Sequence, residues 1–245
     1  MFLREVCFVN APNIDSYPFN LPAFSKLDSL DFKRFLTFLV GENGSGKSTL
    51  LEAIAIRAGF NPEGGSRGNQ FSTANSESAL HEHIKLSWLP KVTDGFFFRA
   101  ESFFNFASHI DEAAKEPFTA NPYASYGGKS LHEQSHGESF LNLFQNRLSH
   151  RRQALYLLDE PEAALSPARQ LALLRILRDH EQQGLSQFII ATHSPILLGY
   201  PKAGIFSFDH APLTPIRYED TSHYVITRQF LNAKESILRE LFRDE

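Results

Sequence analysis

Three stretches of this 245-residue chain carry side chains whose types and spacing suit chemistry on a phosphate. Gly41-Glu42-Asn43-Gly44-Ser45-Gly46-Lys47-Ser48 fills every fixed position of the pattern G-x-x-x-x-G-K-[ST]. It lies between an apolar, strand-like run, Phe35 to Val40, and a helix-like one that continues from Thr49. The glycines permit turns closed to residues with a Cβ, so successive backbone N–H groups can converge on phosphate oxygens at the start of the helix. Lys47 then reaches the β- and γ-phosphates as a point charge, and the Ser48 hydroxyl completes the shell of a Mg²⁺ that keeps most of its waters.

The second stretch is Ala154 to Leu158, a continuous apolar run ending in Asp159-Glu160, which reads as a buried parallel strand delivering two carboxylates at its C-terminal end. Asp159 is placed to hold Mg²⁺ through its water shell, and Glu160 to polarise a water that attacks the γ-phosphate. The strand of the glycine-rich loop is expected beside it. The third stretch, Gln187 to Thr192, is another buried strand, and it delivers His193, whose neutral imidazole can hydrogen-bond the γ-phosphate or the attacking water.

The elements that must position these groups follow from periodicity and punctuation. Phe2 to Val9, Ala23 to Leu30 and Phe35 to Val40 read as β, with Pro12, Pro18 and Pro22 in the loop after the first. Tyr17, Phe19 and Phe24 are candidates to stack on a nucleobase, although packing is the commoner fate of such aromatics. Thr49 to Ala58 is a helix closed by Gly59. Asn61 to Ser78 reads as a polar loop in which Arg67 is a solvated charge. His81 and His83 flank Glu82 without further ligands at metal-binding spacing. Ile84 to Leu89 and Gly95 to Arg99 are strands. Phe96, Phe97, Phe98, Phe103, Phe104 and Phe106 carry more aromatic surface than a solvated loop can, so most must be buried in the core or under a partner. Pro117, Pro122, Gly127 and Gly128 break Asp111 to Lys129 into a loop, and a helix runs from Phe140 to about Ser149. Ser166 and Pro167 start a helix with Leu171, Leu174 and Leu177 on one side, ending at Gly184. Short strands follow at Ile205 to Asp209, Ile216 to Tyr218 and Tyr224 to Thr227. A last helix, from about Asn232, carries a stripe of Ile237, Leu238, Leu241 and Phe242 expected to pack on the core.

Composition narrows the class. With 42% apolar residues the chain can bury the core of a single α/β domain, and a formal net charge of −4 announces no overall basic field for nucleic acid. The single cysteine, Cys7, excludes an intramolecular disulfide framework and a four-cysteine zinc site, and fits a reducing compartment. The N-terminus carries charge within its first apolar run and does not read as a signal peptide. No stretch approaches the roughly 18 to 20 continuous apolar residues of a membrane span. A cytoplasmic location is expected.

Gly41 to Ser48, Ser135-His136-Gly137-Glu138-Ser139, Leu155 to Glu160, Ala164-Leu165-Ser166-Pro167 and His193 occur in the order of the P-loop (Walker A), signature, Walker B, D-loop and switch histidine of ATP-binding-cassette (ABC) ATPases. Over most of residues 30 to 200 the chain resembles that superfamily. Asp159-Glu160-Pro161-Glu162, with Thr192-His193-Ser194-Pro195 afterwards, is more similar to the small stand-alone ATPases of the repair and overcoming-lysogenization-defect type than to transport cassettes. The resemblance implies an α/β P-loop NTPase fold over residues 1–245: a core sheet with helices on both faces, an N-terminal antiparallel β part and a helical lobe at roughly 101–150. It implies ATP and Mg²⁺ as ligands and a head-to-tail dimer in which Ser135, Gly137 and Glu138 reach the γ-phosphate held by the other chain. His136 and Glu138 depart from the usual small and polar signature residues. The glutamine that usually joins core and lobe is absent, and by position Glu101, or Ser102, stands in as a metal-shell residue.

Two functions from different classes remain open. One is an ATPase acting in DNA maintenance, defence or another non-transport process through an unidentified protein or DNA partner. The other is the nucleotide-binding subunit of an ABC transporter. A nucleotide-gated binding protein without turnover is disfavoured by Glu160.

Overall fold

The computed structural model describes residues 1–9, 16–24, 26–67, 78–115, 123, 128–133, 136–148 and 152–243. Ser135, and most of the broken loop read between 111 and 129, lie outside the described residues. The strands are β1 (Leu3–Phe8), β2 (Ser29–Asp31), β3 (Leu36–Val40), β4 (Ile84–Trp88), β5 (Asp94–Arg99), β6 (Ala154–Asp159), β7 (Ser186–Ala191), β8 (Gly204–Ser207) and β9 (Thr214–Pro215). The helices are α1 (Lys47–Ala58), α2 (Phe103–Ala113), α3 (His136–Arg147), α4 (Pro167–Gln183), α5 (Pro195–Leu198) and α6 (Ser222–Leu241).

The central sheet runs β5-β6-β7-β3-β8-β9, parallel except for β9, and a second, antiparallel sheet runs β2-β1-β4. Every residue of β3, β6 and β7 is buried, as continuous apolar strands covered on both faces must be. The two-residue period of the strands divides the core. Phe38, Phe98, Tyr156 and Phe188 face α2 to α5, while Leu39, Phe97, Leu157 and Ile189 face α1 and the N-terminal sheet. Gln187 joins the layers: its buried Oε1 accepts from the N–H of Phe2 (2.7 Å) and Leu3 (2.9 Å), and its Nε2 donates to the Leu3 carbonyl (2.8 Å).

Of Phe96, Phe97, Phe98, Phe103, Phe104 and Phe106, all are buried except Phe104, which is exposed. The structure corrects several other expectations. β7 lies between β3 and β6, so the strand of the glycine-rich loop and the Asp159 strand are not neighbours. Residues 23–30 do not form one strand: Pro22–Phe24 is a short 3₁₀ turn, followed by β2. Tyr224 to Thr227 is helical, because the Thr221 hydroxyl caps α6 by accepting the Tyr224 N–H and Tyr224 stacks on Tyr218, which outweighs the strand propensity of the β-branched run. Helix α6 buries none of its residues and is broken at Ala233 (φ −136°), so the stripe at 237–242 does not pack on the core. On α4 the buried leucines are Leu173 and Leu177, whereas Leu171 is exposed. Arg67 is exposed, as expected of a solvated loop charge, and its guanidinium also donates twice to the Ala58 carbonyl at the end of α1.

Candidate nucleotide site

Parallel register builds the site. Leu39 pairs with Ala191, Ala191 with Asp159, and Asp159 with Arg99, so the loops after four strands open along one edge of the sheet. The first of these loops enters α1 through Gly46, whose φ of 105° is left-handed; a Cβ there would lie 2.8 Å from Phe24 Cε2 and 2.9 Å from Leu21 Cδ1. Phe24 and Phe19 are buried packing residues. Tyr17 is 58% exposed, and its hydroxyl lies 2.5 Å from Thr49 Oγ1, which leaves much of its ring open beside the N-terminus of α1.

Lys47 is buried, and its ammonium donates to the carbonyls of Gly41 (2.7 Å) and Glu42 (2.9 Å). Burial pulls its pKa down, opposed by the carboxylates of Glu160 and Asp159. Ser48 Oγ donates to Asp159 Oδ1 at 3.0 Å. Asp159 is only 4% exposed, and burial pushes its carboxyl up to about 6 even though Arg99 lies 3.8 Å away. Glu160 adopts φ +50°, unusual for a residue with a Cβ, while its backbone N–H donates to the Ala191 carbonyl at 2.9 Å. That left-handed turn lifts its side chain, 44% exposed, out of the strand direction and towards His193 Nε2, 3.5 Å from Oε1. Burial first, and then Lys47, lower the pKa of His193, so the imidazole is neutral at pH 7 and this contact is no ion pair.

Two residues to which sequence reading assigned no role shape this edge. Glu162 Oε1 accepts the backbone N–H of His193 at 2.6 Å and so fixes the loop after β7. Arg99 bonds Glu52 (2.9 Å) and reaches both Asp159 and Glu101. Its position at the end of an apolar strand is the same signal that singles out Asp159. Glu101 itself is 84% exposed and meets the site through Arg99, 3.4 Å away. The Ser102 hydroxyl donates to the Glu63 carbonyl, away from Asp159. Gly137 opens α3 and packs against Arg169 and the Ala164 carbonyl; Glu138 beside it is exposed.

These residues fit a nucleoside triphosphate with Mg²⁺. Ser45 Oγ and His193 Nε2 are buried polar atoms without a hydrogen-bond partner among the described residues. No group of three or more His, Cys, Asp or Glu among those residues could cage an ion, so a Mg²⁺ here would take Ser48 and Asp159 from the chain and its other ligands from phosphate and water.

Comparison with known proteins points the same way. A family model described as "AAA domain" matches residues 13–103, and one described as "AAA domain, putative AbiEii toxin, Type IV TA system" matches residues 140–199. The hemin import ATP-binding protein HmuV of Nocardia farcinica is 29% identical over 193 residues, which cover 73% of this chain and 66% of that protein. The chain thus spans a little under two thirds of that relative's length. Among solved structures, "an inward-facing conformation of a putative metal-chelate type ABC transporter" superposes with a TM-score of 0.54 at 16% identity, covering 92% of this chain and 88% of that one. cbiO1 from Clostridium perfringens, part of the ABC transporter complex cbiONQ, superposes with a TM-score of 0.52 at 17% identity over 96% of each chain. Among the described residues no helix is long and apolar enough to cross a membrane. Fold, motif order and these likenesses together show an α/β P-loop fold similar to that of ABC ATPases.

Proposed function

We propose that the chain binds ATP with Mg²⁺ at the loop 41–48 and hydrolyses it. Lys47 and the backbone N–H groups of Gly41 to Thr49 hold the phosphates, and Ser48 and Asp159 hold the metal. A Mg²⁺ held by these residues would neutralise negative charge on the phosphates. Glu160 accepts the proton of the attacking water, and His193 donates from Nε2 to a γ-phosphate oxygen. The observation that carries the reading is the convergence of Ser48, Asp159, Glu160 and His193 on one edge, with Ser48 and Asp159 in contact at 3.0 Å and Glu160 and His193 at 3.5 Å.

Hydrolysis, in this reading, occurs between two copies arranged head to tail. ATP held by one chain is completed by Ser135, Gly137 and the start of α3 of the other, so the closed pair is favoured before cleavage and released after it. Light scattering of Glu160→Gln with and without ATP and Mg²⁺ tests this. The expected result is a monomer that becomes a dimer only with both ligands, and a Ser135→Arg change abolishes the shift; a chain that binds ATP and stays monomeric at high concentration contradicts it.

The process served has two readings, each with its own support. Asp159-Glu160-Pro161-Glu162, the Thr192 to Pro195 sequence and the toxin–antitoxin wording of the model matched at 140–199 favour a non-transport role in defence or DNA maintenance. The likeness to a hemin import ATP-binding protein favours a transporter subunit. Co-purification with a membrane protein decides for the second, and salt-sensitive stimulation of hydrolysis by DNA for the first.

A further inference from the structure

We propose that His223 is a positioning residue for His193: by donating from its Nε2 to His193 Nδ1, it fixes the His193 imidazole in the tautomer whose proton sits on Nε2, facing Glu160. The inference rests on the reading of His193 as a γ-phosphate donor and adds the device that makes it one.

The two rings meet at 2.9 Å between His193 Nδ1 and His223 Nε2. Burial, the main influence on each ring, holds both pKa values below the usual imidazole value, so both rings are neutral at pH 7 and one proton lies between the two nitrogens. Were that proton on His193 Nδ1, Nε2 would present a lone pair to Glu160 Oε1 at 3.5 Å and could give nothing to a phosphate oxygen. With the proton on His223, a consistent chain results. Ser222 Oγ, 3.4 Å away, donates to His223 Nδ1; His223 Nε2 donates to His193 Nδ1; His193 Nε2 carries its proton towards Glu160 and the phosphate side. The buried Nε2 has no partner among the described residues and remains free for that use.

The support behind His223 is tied to the loop it serves. His223 lies in the first turn of α6, whose cap Thr221 is buried and donates its hydroxyl to the Tyr218 carbonyl at 2.8 Å. The Tyr218 hydroxyl in turn donates to the carbonyl of Pro195, two residues after His193, at 2.9 Å. The tautomer of an imidazole is set by the hydrogen bond that its second ring nitrogen makes; elsewhere that nitrogen commonly donates to a carbonyl or carboxylate, and here it accepts, which leaves the ring proton on Nε2.

The test is ¹⁵N–¹H long-range NMR of histidine-labelled full-length chain, with His193 identified by its loss in His193→Ala, beside ATP turnover. Wild type should show His193 as the Nε2–H form. In His223→Phe, which lacks a donor, that form should give way to a mixture, and kcat should fall about tenfold, the worth of one hydrogen bond, with KM for ATP little changed. His223→Gln restores an N–H donor and should recover both signals. An Nδ1–H form in wild type, or an unchanged tautomer and kcat in His223→Phe, would overturn the proposal. A wild type that turns over no ATP would sink the preceding reading instead, and the NMR arm alone would then decide the tautomer.

Discussion

Ser48 Oγ donates to Asp159 Oδ1 across 3.0 Å, joining the first turn of α1 to the end of β6 although β7 runs between β3 and β6. Burial of that carboxyl, which is 4% exposed, pushes its pKa up to about 6, against the opposing pull of Arg99 and of the Ser48 hydrogen bond itself. The folded chain therefore keeps a proton that the unfolded chain loses near pH 3.8, and the stability linked to this group is lost as pH climbs from about 4 through about 6. Asp159→Asn removes the titration. Its melting temperature relative to wild type, without nucleotide, should be about 2 to 4 °C higher at pH 7 than at pH 5, equivalent to about 1 kcal/mol. Calorimetry at the two pH values measures this directly.

Arg99 lies 3.8 Å from this carboxylate and also neutralises the nearly buried Glu52 at 2.9 Å. Arg99→Met strands Glu52 and should cost about 3 kcal/mol, while Arg99→Met with Glu52→Leu should cost clearly less than the single change. Denaturant unfolding of the four-member cycle checks the coupling.

Gly137 has an in-chain reason to be glycine. A Cβ there would lie 2.7 Å from the Ala164 carbonyl oxygen and against the Arg169 side chain, so the side chain must swing aside and the backbone of α3 or Ala164 must shift. Gly137→Ala should destabilise by about 1 to 3 kcal/mol, read by thermal unfolding in the absence of nucleotide.

Gln187 closes the N-terminal strand onto the central sheet with three hydrogen bonds. Gln187→Leu leaves two N–H groups and a carbonyl buried and unpaired, at about 1 to 3 kcal/mol for each. Hydrogen exchange should show β1 losing protection before β6 and β7 do.

The chemistry-bearing edge was legible because local rules and global fold agree there. Glycines at Gly41, Gly44 and Gly46, an apolar run before Asp159 and another before His193 each read correctly as strand ends, since buried parallel strands leave little else for such runs to be. Strand order was not legible: nothing local says that β7 inserts between β3 and β6. His223 was hidden for the same reason, because its partner lies 30 positions away on another element. The α6 region misled through β-branched residues whose propensity yields to the Thr221 cap, and its apolar stripe suggested burial that no neighbouring element supplies. Arg99 could have been read, since it ends β5 as Asp159 ends β6.

The most direct test of the account is phosphate release from ATP with Mg²⁺ by wild type and by Glu160→Gln, alongside nucleotide binding by both. Glu160 is assigned the proton-accepting role from its left-handed turn and its 3.5 Å approach to His193. The variant should retain ATP binding with turnover reduced about 10²- to 10⁴-fold. Equal turnover by the two proteins, or no Mg²⁺-dependent release by wild type as a dimer, would contradict it.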